Sequence, residues 1–171
     1  MIGIINNELS AYSIIDRIRT YNKNLNIYLY KEKVNDYEEV IEKLINKNCE
    51  IIIIPSIDNI DNIKKKYNKV KFICLKEINI KDSIILDNKE LIKAINLGNQ
   101  NKVLDILKNL NINNKRIVIN NPTLLFIKEI LEKDYNCKII DNIDYLIEEI
   151  DKNINKYNIN TDLIGECFYI N

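Results

Sequence analysis

The chain has 171 residues, 25 Lys+Arg balanced by 25 Asp+Glu, and no histidine. Zero net charge with only three arginines, Arg17, Arg19 and Arg116, argues against the basic face that nucleic-acid binding needs. The missing histidine excludes His-based acid–base catalysis, His zinc ligands and Ser-His-Asp triads.

In chain order, Ile2–Ile5 reads as a buried first strand. Glu8–Thr20 follows as a helix, with Leu9, Tyr12, Ile14, Ile15 and Ile18 at roughly helical spacing. Asn26–Tyr30 is the second strand. Tyr37–Lys47 is a helix with Val40, Ile41, Leu44 and Ile45 on one face and Asp36 as its N-cap. The four isoleucines Ile51–Ile54 suit a strand covered on both faces. A short helix at Ile57–Tyr67 and a fourth strand at Val70–Leu75 come next. Lys76–Asp87 is the least regular stretch, with a short strand at Ile84–Leu86. Asn88–Asn96 and Gln100–Leu110 read as helices parted at Gly98-Asn99, a C-cap and restart. Arg116–Ile119 is a strand, and Asn121-Pro122-Thr123 opens a helix to Lys133 with Pro122 at its first position. Lys138–Ile140 is a strand, Asn142–Tyr157 a helix, and Asp162–Ile164 the start of a last strand.

Alternating strands and helices predict an α/β fold with parallel strands sandwiched by helices. The break near residues 76–88 leaves two arrangements open: two small lobes, or one sheet with an irregular second half. Ile, Asn and Lys number 38, 29 and 22, the mark of an AT-rich genome, so asparagine-rich stretches carry no reading by frequency alone. No apolar run approaches a membrane span of roughly 18–20 residues, so no membrane association is expected. The first residues lack the basic region and small residues of a signal peptide. Cys49, Cys74, Cys137 and Cys167 form no C-x-x-C pair and read as reduced core thiols of a cytoplasmic protein, with no metal or cofactor implied.

In open α/β sheets, ligands bind beyond the carboxyl ends of the strands. The segments there are Asn6-Asn7-Glu8, Pro55-Ser56-Ile57-Asp58-Asn59, Asn120-Asn121-Pro122-Thr123 and the stretch after Ile164. No Gly-rich phosphate loop is present. A phosphoacceptor site of the receiver type would need acids where Pro55 and Asn6-Asn7 stand. Asp58 and Asp61 at a helix start, and Lys64-Lys65-Lys66 at its end, complement the helix dipole.

These segments carry a resemblance. Gly3 to Ala11 resembles the G-I-F-D-S-G-x-G-G opening of glutamate racemases, of the Asp/Glu racemase superfamily. Tyr28-Leu29-Tyr30 matches that family's second strand, and Ile51–Asn59 falls on its strand ending in C-N-T-A-S. Lys71–Glu77 resembles the P-V-x-G-V-I-E-P segment, and Arg116–Thr123 the second-lobe G-V-I-A-T-x-A-T. Asp162-Leu163-Ile164-Gly165-Glu166-Cys167-Phe168-Tyr169 resembles L-I-L-G-C-T-H-Y. The agreement covers essentially the whole chain in order and element type, with few identities. It implies two small pseudo-symmetric lobes, here 1–80 and 81–171, the latter including a return segment.

The departures fall on the chemistry. In the family two cysteines face each other and exchange the α-proton of an amino acid. The resemblance aligns Pro55 with the first and Glu166 with the second. Asn6-Asn7 replace the family's Asp-Ser, Ser56-Ile57 its Asn-Thr, and Phe168 its histidine. Proline transfers no proton, so inversion by two opposed bases fails at one face. Glu166 and Cys167 are the residual catalytic candidates, and adjacent strand residues point to opposite faces. Asn6, Asn7, Ser56, Asn59, Asn120, Asn121 and Thr123 are the candidate ligand-binding residues.

The resemblance also implies a further segment completing the first lobe beyond the matched motif. Its loss would leave a sheet edge open to a second copy, as in a homodimer. The expectation is therefore a degenerate racemase-like protein without catalysis, retaining an amino-acid-like ligand site or an interaction role. The alternative is an isomerase using Glu166 or Cys167 as base.

Overall fold

A computed structural model describes residues 1–6, 8–54, 60–154, 156, 159 and 165–170. The chain is a mixed α/β protein with two parallel sheets, each flanked by helices. It forms two compact units: Met1–Asn7, Ile14–Leu75 and Ile143–Asn171 make unit 1, and Glu8–Ser13 with Lys76–Asn142 make unit 2.

Unit 1 is built on a five-stranded sheet of β1 (Ile2–Ile5), β2 (Ile27–Tyr30), β3 (Ile51–Ile54), β4 (Lys71–Cys74) and β8 (Cys167–Ile170). The order is β4-β3-β1-β2-β8 and every pairing is parallel. All four residues of β1 and of β3 are buried, as isoleucine runs covered on both faces require. One face carries Ile5, Tyr30, Ile52, Ile54 and Phe72, which pack with Val40, Ile41 and Leu44 of helix α2 (Tyr37–Asn46). Asp36 caps α2 as expected, its carboxylate accepting from Glu38 N at 2.8 Å. Ile2, Ile4, Ile27, Leu29, Ile51 and Ile53 alternate with that set and are equally buried. Helix α3 (Ile60–Lys66) buries no residue fully. The helix start at Ile57 lies outside the described residues.

Helix α1 spans Ser10–Tyr21 and α7 Ile143–Ile154. Within unit 1 they are joined by Arg17–Asp144 at 2.8 Å and by a short contact of the Tyr21 hydroxyl on Asp151. Lys71 Nζ lies 3.3 Å from Glu149 Oε2, tying β4 to α7.

Unit 2 carries a three-stranded parallel sheet, β5-β6-β7, from Ile84–Ile85, Arg116–Ile119 and Lys138–Asp141. Helix α4 (Lys89–Asn96) is capped by Asn88 and α5 (Gln100–Lys108) by Asn99. Gly98 between them has φ +65°, and its N–H bonds to Ile95 O while that of Asn99 bonds to Ala94 O. That pattern is the Schellman closure, which needs a residue tolerant of the left-handed region. The single helix expected after Asn121 is instead a 3-10 helix, Pro122–Ile127, followed by α6, Lys128–Lys133. Leu124 and Ile127, three apart, eclipse in 3-10 geometry and both enter the core with Leu131.

The strand start at residues 162–164 lies outside the described residues, and the last observed strand is Cys167–Ile170. That strand belongs to unit 1 and pairs in parallel with β2. Among the described residues no helix is long and apolar enough to cross a membrane.

Candidate functional site

In unit 1 the parallel strands share one direction, so their carboxyl ends form one edge. Asn6 follows β1 there, its N–H bonded to Tyr30 O at 3.1 Å. Asn7, Pro55, Ser56 and Asn59 lie outside the described residues. Cys74 ends β4, and its side chain packs with the cluster that holds Ile54 and Phe72.

Glu166 and Cys167 stand at the other edge. Cys167 pairs with Ile27, the first residue of β2, which places it level with Ile2 and Ile51 at the amino ends. Glu166 directly precedes β8, and its side chain is exposed. Its backbone is fully engaged: Asn26 Oδ1 accepts from Glu166 N at 2.9 Å, and Glu166 O accepts from Ile27 N at 2.9 Å. Arg19 Nη1 donates to Gly165 O at 3.2 Å. A Cβ on Gly165 would stand 2.2 Å from Lys23 O and 2.8 Å from Leu25 O, so only glycine permits this backbone approach. Burial raises the Cys167 thiol pKa above its ordinary value, with the Arg19 charge opposing. A thiol held protonated by burial is the reverse of an activated nucleophile. Phe168, aligned with the family's histidine, stacks on Tyr28 with centroids 4.9 Å apart.

The carboxyl edge of unit 2 is polar. β6 ends at Ile119 and β7 at Asp141, which pair in register. Asn120 Oδ1 accepts from Ile78 N at 2.8 Å while its Nδ2 donates to Ile78 O at 3.1 Å. Asn121 caps the 3-10 helix, its Oδ1 accepting from Thr123 N at 3.0 Å. Asn142, directly after β7, donates from Nδ2 to Lys76 O at 3.1 Å and to Asn120 O at 2.9 Å. The carboxylate of Asp141 is 3% exposed and lies 3.9 Å from Lys128 Nζ.

Thr123 Oγ1 and Asn142 Oδ1 are shut off from solvent without a hydrogen-bond partner among the described residues. Such an atom costs about 1–3 kcal/mol, which is why folds retain few of them. Of the sequence candidates, the fold thus brings Asn120, Asn121 and Thr123 to one edge and sends Glu166 and Cys167 to an amino edge. Asn142 and Asp141 were not anticipated as site residues. Their signal was a polar pair ending a β-rich run, hidden because Asn142 also reads as a helix start. Among the described residues no group of three or more acids or cysteines is placed to hold a metal ion.

No family model matches the sequence, and no curated protein matches it. Solved structures do. The glutamate racemase of Thermus thermophilus, in complex with beta-chloro-D-alanine, matches with a TM-score of 0.70 at 9% identity, over 98% of this chain and 86% of that one. The glutamate racemase of Campylobacter jejuni subsp. jejuni matches with a TM-score of 0.52 at 9% identity, over 99% of this chain and 91% of that one. The chain has a glutamate racemase-like fold.

Proposed function

We propose that this protein is a racemase-like scaffold that does not invert amino acids and holds a small amino-acid-like ligand at the carboxyl ends of its strands. Asn120, Asn121 and Thr123 of unit 2 are the candidate ligand-binding residues in this reading. The observation that carries it is the location of the acid–base groups. Glu166 and Cys167 stand at the amino edge of the unit 1 sheet, with backbones fixed on Asn26 and Ile27. At the unit 2 carboxyl edge stand the amides of Asn120, Asn121 and Asn142 and the hydroxyl of Thr123, in place of acids or thiols. Amides neither remove nor return a Cα proton at neutral pH, whereas they hydrogen-bond polar ligand groups well.

The test is incubation of the protein in deuterated water with L- and D-glutamate and L- and D-aspartate. The expected deuterium incorporation at Cα equals that of a buffer blank. Incorporation above the blank that disappears in Glu166→Gln or Cys167→Ser overturns the reading and establishes a single-base isomerase instead.

A further inference from the structure

A free sheet edge is a template for pairing, and natural proteins blunt it with charges, prolines or very short strands. The other edges among the described residues are blunted in this way. β4 carries Lys71, held on Glu149 of α7 at 3.3 Å. β7 carries Lys138 and Asp141, and β5 is only Ile84–Ile85. β8 is the exception. Its residues, Cys167-Phe168-Tyr169-Ile170, include no charge and no proline. It ends the strand order beyond β2, with no described strand on its outer side. None of its residues is fully buried, and Tyr169 is 58% exposed.

The β2 ladder fixes which groups point outward. Ile27 N donates to Glu166 O, so Glu166 and, by strand alternation, Phe168 and Ile170 turn their backbone groups toward β2. Cys167 and Tyr169 turn theirs to the free side. Two outward residues bracketing one inward residue make a self-complementary edge. A second copy laid antiparallel about a two-fold axis at Phe168 sets Cys167 of each copy against Tyr169 of the other, each pair exchanging both N–H···O=C bonds. The same axis brings Phe168 against the second copy's Phe168 as a non-hydrogen-bonded pair, with Cα atoms about 4.5 Å apart. Phe168 already stacks on Tyr28 with centroids 4.9 Å apart. The pairing extends that stack into a ladder of rings across the axis, and cross-strand aromatic pairs are favourable. No charge on β8 repels a like strand, and none attracts a charged one.

We propose that the outer edge of β8 is a homodimer interface, formed by antiparallel pairing with β8 of a second copy about an axis at Phe168. An edge of this length buries less than the roughly 800 Å² per partner of a standard interface, so the dimer is weak and concentration-dependent.

Tyr169→Pro is the informative variant. It removes an outward N–H that the β2 ladder does not use, and an edge strand tolerates proline on that side. Tyr169→Lys is the second variant, for the case in which the first fails to fold by circular dichroism. It keeps the N–H and places on β8 the edge lysine that opposes pairing, beside Lys31, whose Nζ lies 5.2 Å from the Tyr169 ring centroid.

Sedimentation equilibrium of the full chain from about 5 μM to about 1 mM reads the association over the range of weak interfaces. The expected mass rises from one chain toward two and no further. The Cys167 and Tyr169 amides exchange freely at the low end and become protected at the high end, while those of Phe168 and Ile170 are protected at both. Each folded variant associates about tenfold or more weakly. One chain mass throughout overturns the proposal. Association that leaves the Cys167 and Tyr169 amides unprotected, or that neither variant weakens, lies elsewhere on the protein and overturns it too. Growth beyond two copies overturns the closed two-fold pairing.

Discussion

Gly165→Ala tests whether the segment entering β8 is an anchor or a site. The added Cβ would stand 2.2 Å from Lys23 O, 2.8 Å from Leu25 O and 2.9 Å from Asn24 C, all of them backbone atoms. No side chain can swing away, so either the turn after α1 or the start of β8 must move. Movement endangers Arg19 Nη1 to Gly165 O, Glu166 N to Asn26 Oδ1 and Ile27 N to Glu166 O. Each such bond is worth about 1 kcal/mol net. The Tyr28–Phe168 stack downstream adds about 0.5–1.5 kcal/mol. Complete loss approaches about 4 kcal/mol, and partial relaxation brings the expected cost to about 3 kcal/mol. For a chain of this size that corresponds to a Tm lower by roughly 6–12 °C. Urea unfolding followed by circular dichroism measures the loss, and hydrogen exchange at the Ile27 amide localises it. The account predicts early exchange there, with amides of β6 and β7 unchanged. A Gly165→Ala protein within about 0.5 kcal/mol of the parent, with Ile27 still protected, refutes the anchoring role.

Two further outcomes follow from titration behaviour. Because burial raises the Cys167 thiol pKa, alkylation of Cys167 by iodoacetamide at pH 8 should be slower than that of free cysteine, read by peptide mass spectrometry. Faster alkylation would mark an activated thiolate. Hydrogen bonds from Lys152 and Lys71 lower the Glu149 pKa in the folded state. Its stabilisation is therefore present at neutral pH and is lost as pH falls through the depressed folded pKa, below the ordinary carboxylate range. Glu149→Gln should cost roughly 0.2–1 kcal/mol at pH 7 and nothing once that acid is protonated, because the partners are partly exposed. An equal cost at both pH values, from parallel urea curves, contradicts the assignment.

The local elements were legible because they obey local rules. Ile51–Ile54 declares a doubly covered strand by composition, Asp36 a helix start by its carboxylate, and Gly98 a helix end by its freedom at positive φ. The 3-10 character of Pro122–Ile127 was not legible: over six residues the repeats of 3.0 and 3.6 put the same leucine and isoleucine inward. The destination of β8 was hidden for a different reason. Its pairing with β2 joins Cys167 to Ile27, so nothing within a window of neighbouring residues encodes it. The matched motif suggested that Glu166 follows a strand, and the long-range pairing put it before one. Asn120, Asn121 and Thr123 were readable as strand-end residues, whereas the Asn142 clasp on Lys76 bridges 66 positions and surfaces only in three dimensions.

Proton exchange at Cα is the measurement that bears most directly on a racemase-like fold in which the candidate residues Glu166 and Cys167 stand at an amino edge. Proton NMR of D- and L-glutamate in deuterated water, with the protein at substrate-like concentration over a day, reads it without assuming a product. The account predicts Cα signals that decay at the blank rate for both enantiomers. Loss of the Cα signal above the blank, abolished by Glu166→Gln or Cys167→Ser, would contradict it.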